Sequence, residues 1–380
     1  LSFSLFFLSS GPANAYAGKD KIPPLSYKVR ETVSDYHLRS DEYNITPLED
    51  RALNFKIRLP QGWTPLDSDL NKGDIGGDIF RLLAIYTSPA NFSGRSQFRV
   101  RSIDINYLTS ANNWMISYML QMGFSLEGIH VFSRNKIEAQ YTLFIDKTPY
   151  VIRAVVEVSG RRVVIAEYMV PQESYEEGKN DQILAMNSYA LLSPDMTPSV
   201  DMKTFSFVDL ARFDYPGTWN LIAPVITNID DMSVTLTNVF DREVTVEKTA
   251  KESTPQLNGR IDISIIARNE ETTLQDQIAR LQTEMGERKI KISKLIEVVN
   301  DIELKAIKKK IRVDVYAVEG TEAKLVDHEY WGAILQTPGH FYLVRLITVG
   351  RLQNFSAWSQ NIETFRHIIG SLSPNKDSIE

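Results

Sequence analysis

Any chemistry in this chain must come from carboxylates, amines, hydroxyls and five histidines, because its 380 residues include no cysteine. That excludes disulfides, thiolate nucleophiles, zinc fingers and iron–sulfur clusters. His37, His130, His328, His340 and His367 are scattered, and none forms the i, i+4 pair that would set two imidazoles on one helix face. Asp327-His328-Glu329 places carboxylates beside an imidazole, which would tune its pKa. Successive strand residues point to opposite faces, however, so the triplet is expected on the surface, without convergence. Asp67, Asp69, Asn71 and Asp78 supply oxygens at the first, third, fifth and twelfth places of a calcium-type loop. Lys72 stands where that loop needs its turn glycine, Asp74 replaces an apolar residue, and Pro65 disfavours an entering helix. A polar Gly-rich loop is the expectation, with weak calcium binding as its alternative. Phosphate loops, nucleophile elbows and dinucleotide fingerprints do not occur in the sequence.

Two further groups suit binding more than catalysis. Lys289, Lys291, Lys294, Lys308, Lys309, Lys310 and Arg312, with Arg288 and Lys305, face four acids between 286 and 312, a surplus of +5 in a chain whose net charge is −6. Such a patch would dock an acidic partner or membrane headgroups, or else form a solvated strand and helix face. The overall charge argues against nucleic acid as that partner. Trp114, Met115, Tyr118, Met119 and Met122 recur at helical spacing and are predicted to point inward.

The elements that must position these groups fall into two similar halves. Residues 1–17, with apolar Leu1 to Leu8 and Ala13-Asn14-Ala15, read as a secretory signal that has lost its first residues. Residues 18–49 read as a polar arm. An alternating strand then runs into Pro60, with Trp63 three residues on, and the same figure recurs at Pro216 and Trp219. Each half continues with an amphipathic helix closed by Met-Gly, at Met122-Gly123 and Met285-Gly286. Three strands follow: 136–145, 150–158 and 162–170 in the first half, 310–318, 323–335 and 341–349 in the second. A last helix, through Ile183 to Ala190 and Trp358 to Ile369, stops at Ser193-Pro194 and Ser373-Pro374. The domains are therefore expected at 50–197 and 200–375, with 376–380 as a tail. The fold class is α+β, each domain an antiparallel sheet packed with one or two helices, and the two are expected to pair as a pseudo-dimer within one chain.

Phe55, Ile57, Leu59, Pro60 and Trp63, repeated as Phe213, Tyr215, Pro216 and Trp219, with closing helices ending at Pro194 and Pro374, carry a resemblance to the PsbP/Mog-like superfamily, which includes DcrB-like and Eag-chaperone-like bacterial members. The resemblance implies a non-catalytic module that binds a protein through its sheet face or rim. An exported, soluble interaction module is thus expected: an accessory subunit, adaptor or chaperone in a bacterial envelope or secretion assembly, periplasmic or secreted, with no cofactor, no nucleic acid and no transmembrane segment. The alternative is a periplasmic small-ligand or calcium-binding protein.

Overall fold

The computed structural model describes residues 22–66, 80–90, 94–208, 210–228, 231–240, 256–268, 273–287, 290–302, 304–307, 309–320 and 328–374. The chain forms two compact units that divide between Ser199 and Val200. Each holds a seven-stranded antiparallel sheet, a three-stranded sheet and a few helices, so the protein is α+β with two similar sheet domains.

In the first unit, helix α1 (Val33–Leu38) and strand β1 (Ser40–Ile45) precede β2 (Phe55–Pro60) and β3 (Thr64–Pro65). Next come β4 (Arg81–Thr87), β5 (Gln97–Asp104), α2 (Ala111–Met122), β6 (Leu126–Ser133), β7 (Lys136–Ile145), β8 (Thr148–Ser159) and β9 (Arg162–Pro171). Helix α3 (Tyr175–Ser188) and β10 (Ala190–Leu191) complete it. The large sheet runs β3-β4-β5-β9-β8-β7-β6, and the small one β1-β2-β10. Strand β2 alternates as its sequence demands: Phe55, Ile57 and Leu59 are fully buried, and Lys56 and Arg58 between them are not. Their cluster takes in Val164, Ala166 and Tyr168 of β9, Leu184 to Met186 of α3, and Trp63, whose ring lies 5.1 Å from that of Tyr168.

The segment expected to be a polar arm instead builds part of this core. Thr32 caps α1 by accepting from the Asp35 amide, and Tyr36 is 1% exposed with its hydroxyl donating to the Arg58 carbonyl. Strand β1 pairs with β2 from Ser40↔Pro60 to Ile45↔Phe55. Charged side chains on the solvent side of α1 and β1 conceal one deeply buried tyrosine.

The second unit repeats the strand order. It comprises β11 (Met202–Phe207), β12 (Ala211–Pro216), β13 (Asn220–Asn228), β14 (Asp231–Phe240), β15 (Gln256–Ala267), α4 (Leu274–Glu287), β16 (Ile290–Val298), β17 (Lys309–Gly320), β18 (His328–Gln336), β19 (His340–Val349), α5 (Phe355–Ser371) and β20 (Ser373–Pro374). Its large sheet is β13-β14-β15-β19-β18-β17-β16, and its small one β11-β12-β20. Trp219, Phe213, Trp331, Trp358 and Phe365 share one core cluster. Both closing helices fasten onto the sheet through a buried amide. Gln182 Nε2 donates to the carbonyls of Val151 (3.0 Å) and Tyr168 (2.8 Å), and Asn361 Nδ2 to that of Asn258 (2.9 Å).

Several expectations change. Four strands, not three, follow each central helix, because β6 and β16 join the meander. Gly128 and Glu127 break the alternation of β6, and register shifts interrupt that of β16, so neither shows the clean period of two. Helix α2 ends as expected, with Gly123 at φ 72, but α4 continues through Gly286 to Glu287. Met122 is 43% exposed at the last position of α2, outside the buried stripe of Trp114, Met115 and Met119. Helix α3 stops at Ser188, ahead of the Ser-Pro, and Ala190 and Leu191 return to pair with Lys56 and Phe55. No helix among the described residues is long and apolar enough to cross a membrane.

Candidate functional site

The described cations between Lys291 and Arg312 lie on or between the last two strands at one edge of the second unit's large sheet. Lys291 and Lys294 are exposed on β16, the terminal strand, while Lys309, Lys310 and Arg312 stand on its neighbour β17. Lys289 and Lys308 lie outside the described residues. Lys291 pairs in register with Glu319, seven residues along β17 from Arg312, roughly 23 Å at strand spacing. The single patch expected from the sequence is therefore a row. Two acids of the same stretch have arginine partners: Glu297 accepts from Arg351 Nη1 at 3.2 Å, and Asp301 from Arg366 Nη2 at 2.9 Å. Register shifts at Ile292/Leu295 and Leu295/Glu297 bulge the strand, and the consecutive Leu295 and Ile296 are both about 40% exposed, with Val298 at 45%.

Strand β6 holds the same terminal place in the first unit. Here residues 23–25 run along the edge: Pro24 forms a parallel bridge with Ile129, and the Ile129 amide donates to the Pro23 carbonyl at 2.9 Å. Leu25 is buried over Gly128, where a Cβ would meet Leu25 Cδ2 at 2.8 Å. The segment is held by a buried pair, Arg153 Nε to Glu138 Oε1 at 2.5 Å, in which Arg153 Nη1 also donates to the Ser26 carbonyl at 2.9 Å. Tyr27 donates to Glu138 Oε2 at 2.5 Å and lies under the guanidinium, 4.7 Å away. Burial, then Glu138, pushes the Tyr27 hydroxyl pKa well up. A cavity of about 390 Å³ opens beside this segment, lined by Leu25, Lys28, Gln140, Arg153, Tyr175 and Lys179. Among the described residues Arg153 Nη2 has no hydrogen-bond partner and is closed off from solvent, while Nε and Nη1 hold the segment.

The strongest electrostatics in both units are sealed inside. Glu167, fully buried on β9, accepts from Arg99 Nε (2.6 Å), Arg101 Nε and Nη2 (3.0 Å each) and the Tyr141 hydroxyl (2.6 Å). Burial raises its pKa, but Arg101 and Arg99 outweigh this and bring it down to about 2. Arg101 also lies over the Phe80 ring at 4.5 Å, which meets Trp114 and Tyr118 of α2 edge-on. In the second unit, Glu329 is buried, which corrects the expected surface triplet. It accepts from Arg351 Nε (2.7 Å), Trp331 Nε1 (3.1 Å) and Trp358 Nε1 (2.9 Å). Burial raises its pKa and Arg351 more than reverses the effect. Asp327 lies outside the described residues. Asp262 accepts from Arg260 and Thr235. Carboxylates this buried and this well paired stay ionised at neutral pH, so they hold the sheets together and do not exchange protons with a substrate.

Asp67, Asp69, Asn71 and Asp78, like residues 1–17, lie outside the described residues. Pro60 and Pro216 end β2 and β12, and the following Trp63 and Trp219 are buried at 6% and 4% exposure. The buried Arg101 and Arg153 and the half-buried Arg99 escape sequence reasoning. The signal for Arg99 and Arg101 is an i, i+2 spacing in β5, which has meaning once β5 is known to pair with β9.

No family model matches the chain, and no curated protein matches it. Among solved structures, it is similar to cyanobacterial PsbP (CyanoP) from Synechocystis sp. PCC 6803, with 9% identity over 40% of this chain and 92% of that one, at a TM-score of 0.29. It is also similar to the Saccharomyces cerevisiae Ran-binding protein Mog1p, with 10% identity over 40% and 95% and a TM-score of 0.27. A third is the T6SS immunity protein TplEi of Pseudomonas aeruginosa, with 9% identity over 84% of this chain and 94% of that one, at a TM-score of 0.20.

Proposed function

We propose that the chain is an exported, non-enzymatic protein-interaction module, built as two PsbP/Mog-like units in tandem, that serves as an accessory subunit, adaptor or chaperone in a bacterial envelope or secretion assembly. The identical strand order of the two large sheets supports the tandem reading. One observation carries the interaction reading: terminal strand β16 presents Leu295, Ile296 and Val298 to solvent beside Lys291 and Lys294. Exposed sheet edges with adjacent apolar side chains are sites of strand addition and of docking. The interior carboxylates, by contrast, are consumed by structural pairs. A photo-crosslinking residue placed at Ile296 of the full chain in its native envelope should capture a discrete protein. The same residue at Lys203, on the exposed side of β11, should not. Equal capture at both positions, or none at Ile296, refutes the assignment.

A further inference from the structure

We infer that β16 receives an extended, acidic segment of a partner polypeptide, added beside Ile290–Val298 as an eighth strand of the second large sheet; this rests on the interaction reading above. The first unit contains the precedent within the same chain. Strand β6 occupies the equivalent place, and residues 23–25 lie along it in extended form, bridged at Ile129 and anchored by Leu25 over Gly128. It accepts them although its own pairing with β7 is shifted at Leu126/Gly128 and at Val131/Ser133. Bulges and lysines are common devices against edge pairing; β6 shows that bulges alone do not close this edge. Strand β16 carries two comparable shifts, and among the described residues no strand or bridge pairs with its outer edge.

The chemistry of the occupant follows from charge. Lys294 and Lys305 are exposed, Lys291 is exposed in register with Glu319, Lys309, Lys310 and Arg312 have their places farther along β17, and Glu297 and Asp301 are engaged by Arg351 and Arg366. A row of cations spread along a strand suits acids spaced along an extended chain. A second copy of this protein would bring the same cations edge to edge, and like charges oppose that pairing. The apolar contribution comes from Leu295, Ile296 and Val298, which an alternating sequence would cover with every second residue.

Three fluorescein-labelled twelve-residue peptides test this by anisotropy against the full chain: alternating Glu and Val, alternating Lys and Val, and the Glu/Val peptide N-methylated at alternate residues. The Glu/Val peptide should bind at least tenfold more tightly than the other two, and about tenfold more weakly in 500 mM than in 50 mM salt. Lys291→Glu with Lys294→Glu should invert the charge preference, and Leu295→Ser with Ile296→Ser should weaken binding about tenfold, each with an unchanged circular dichroism spectrum. If the double charge exchange fails to fold, Lys294→Glu alone must still cut the preference at least threefold. A preference for Lys/Val, no preference, or one that survives the charge exchange overturns the inference. Capture at Ile296 combined with no acidic preference would retire the acidic segment alone and leave the interaction reading standing.

Discussion

Replacing Glu167 with Gln should be among the most destabilising single changes in the first unit. The substitution keeps shape and leaves two guanidiniums, on side chains only 14% and 11% exposed, facing a neutral amide. Stranding a buried charge costs about 3–5 kcal/mol. The lowered pKa of Glu167 points to a loss of the same order. A carboxyl brought from 4.5 to about 2 on folding contributes about 3 kcal/mol at neutral pH. Since the folded pKa is the lower one, this contribution is complete above about pH 4.5 and disappears as pH falls toward 2. Urea titration of the full chain, followed by hydrogen exchange of β8 and β9 peptides, reports the unit that holds Glu167. Glu167→Gln should lose about 3 kcal/mol or more at pH 7 and flatten the acid limb between pH 4.5 and 2. Adding Arg101→Met removes one stranded charge, so the double variant should lose less than the sum of the singles by more than 1 kcal/mol. A single loss below about 1 kcal/mol, or strict additivity, would refute the paired-charge account.

Trp63→Ala and Trp219→Ala should each cost about 3–5 kcal/mol, measured by the same denaturation, because both rings are buried in the main clusters of their units. Gly128→Ala places a methyl 2.8 Å from Leu25 Cδ2. It should release residues 22–28, seen as lost hydrogen-exchange protection there, while the unit as a whole loses less than about 1 kcal/mol.

The paired Pro-x-x-Trp figures, the strands of the two meanders and the closing helices were legible because each is local: a period of two or 3.6 that ends in Pro or Gly. What escaped depends on pairing between distant segments. Strand β1 carries Ser40, Asp41, Glu42 and Asn44 and becomes recognisable only beside β2. Strand β16 reads as a charge run because its bulges break the alternation of Ile290, Ile292 and Leu295. Glu329 looked like one member of a surface triplet, since nothing nearby in sequence announces Arg351 or Trp358 as its partners. For the candidate site, the sequence supplied the cations but not their arrangement. Their row follows from which strand is terminal in the sheet, a property of the whole topology.

The buried ion pairs also bear on how the sheets find their register. Strands β7, β8 and β9 are joined by tight turns, with Asp146, Lys147 and Gly160 at positive φ, so turn geometry sets their alignment. Strand β5 meets β9 across almost sixty residues of intervening chain, and no turn constrains that ladder. Its observed register sets Arg99 directly opposite Glu167 on one face, with Arg101 two residues along on the same side. A slip of one residue would carry both arginines to the face that holds Phe98 and Val100 and would leave Glu167 buried without a cation. The misaligned sheet would then strand three charges at once. In the second unit the ladder between β15 and β19 is equally non-local, and there Asp262 of β15 stands directly opposite Arg345 of β19. A buried pair adds little to stability over a well-packed apolar one, yet it penalises the wrong register heavily. In both units the ladder that the turns leave unspecified sets opposite charges directly across from one another, while Arg153–Glu138 adds a further buried pair on the β7–β8 hairpin.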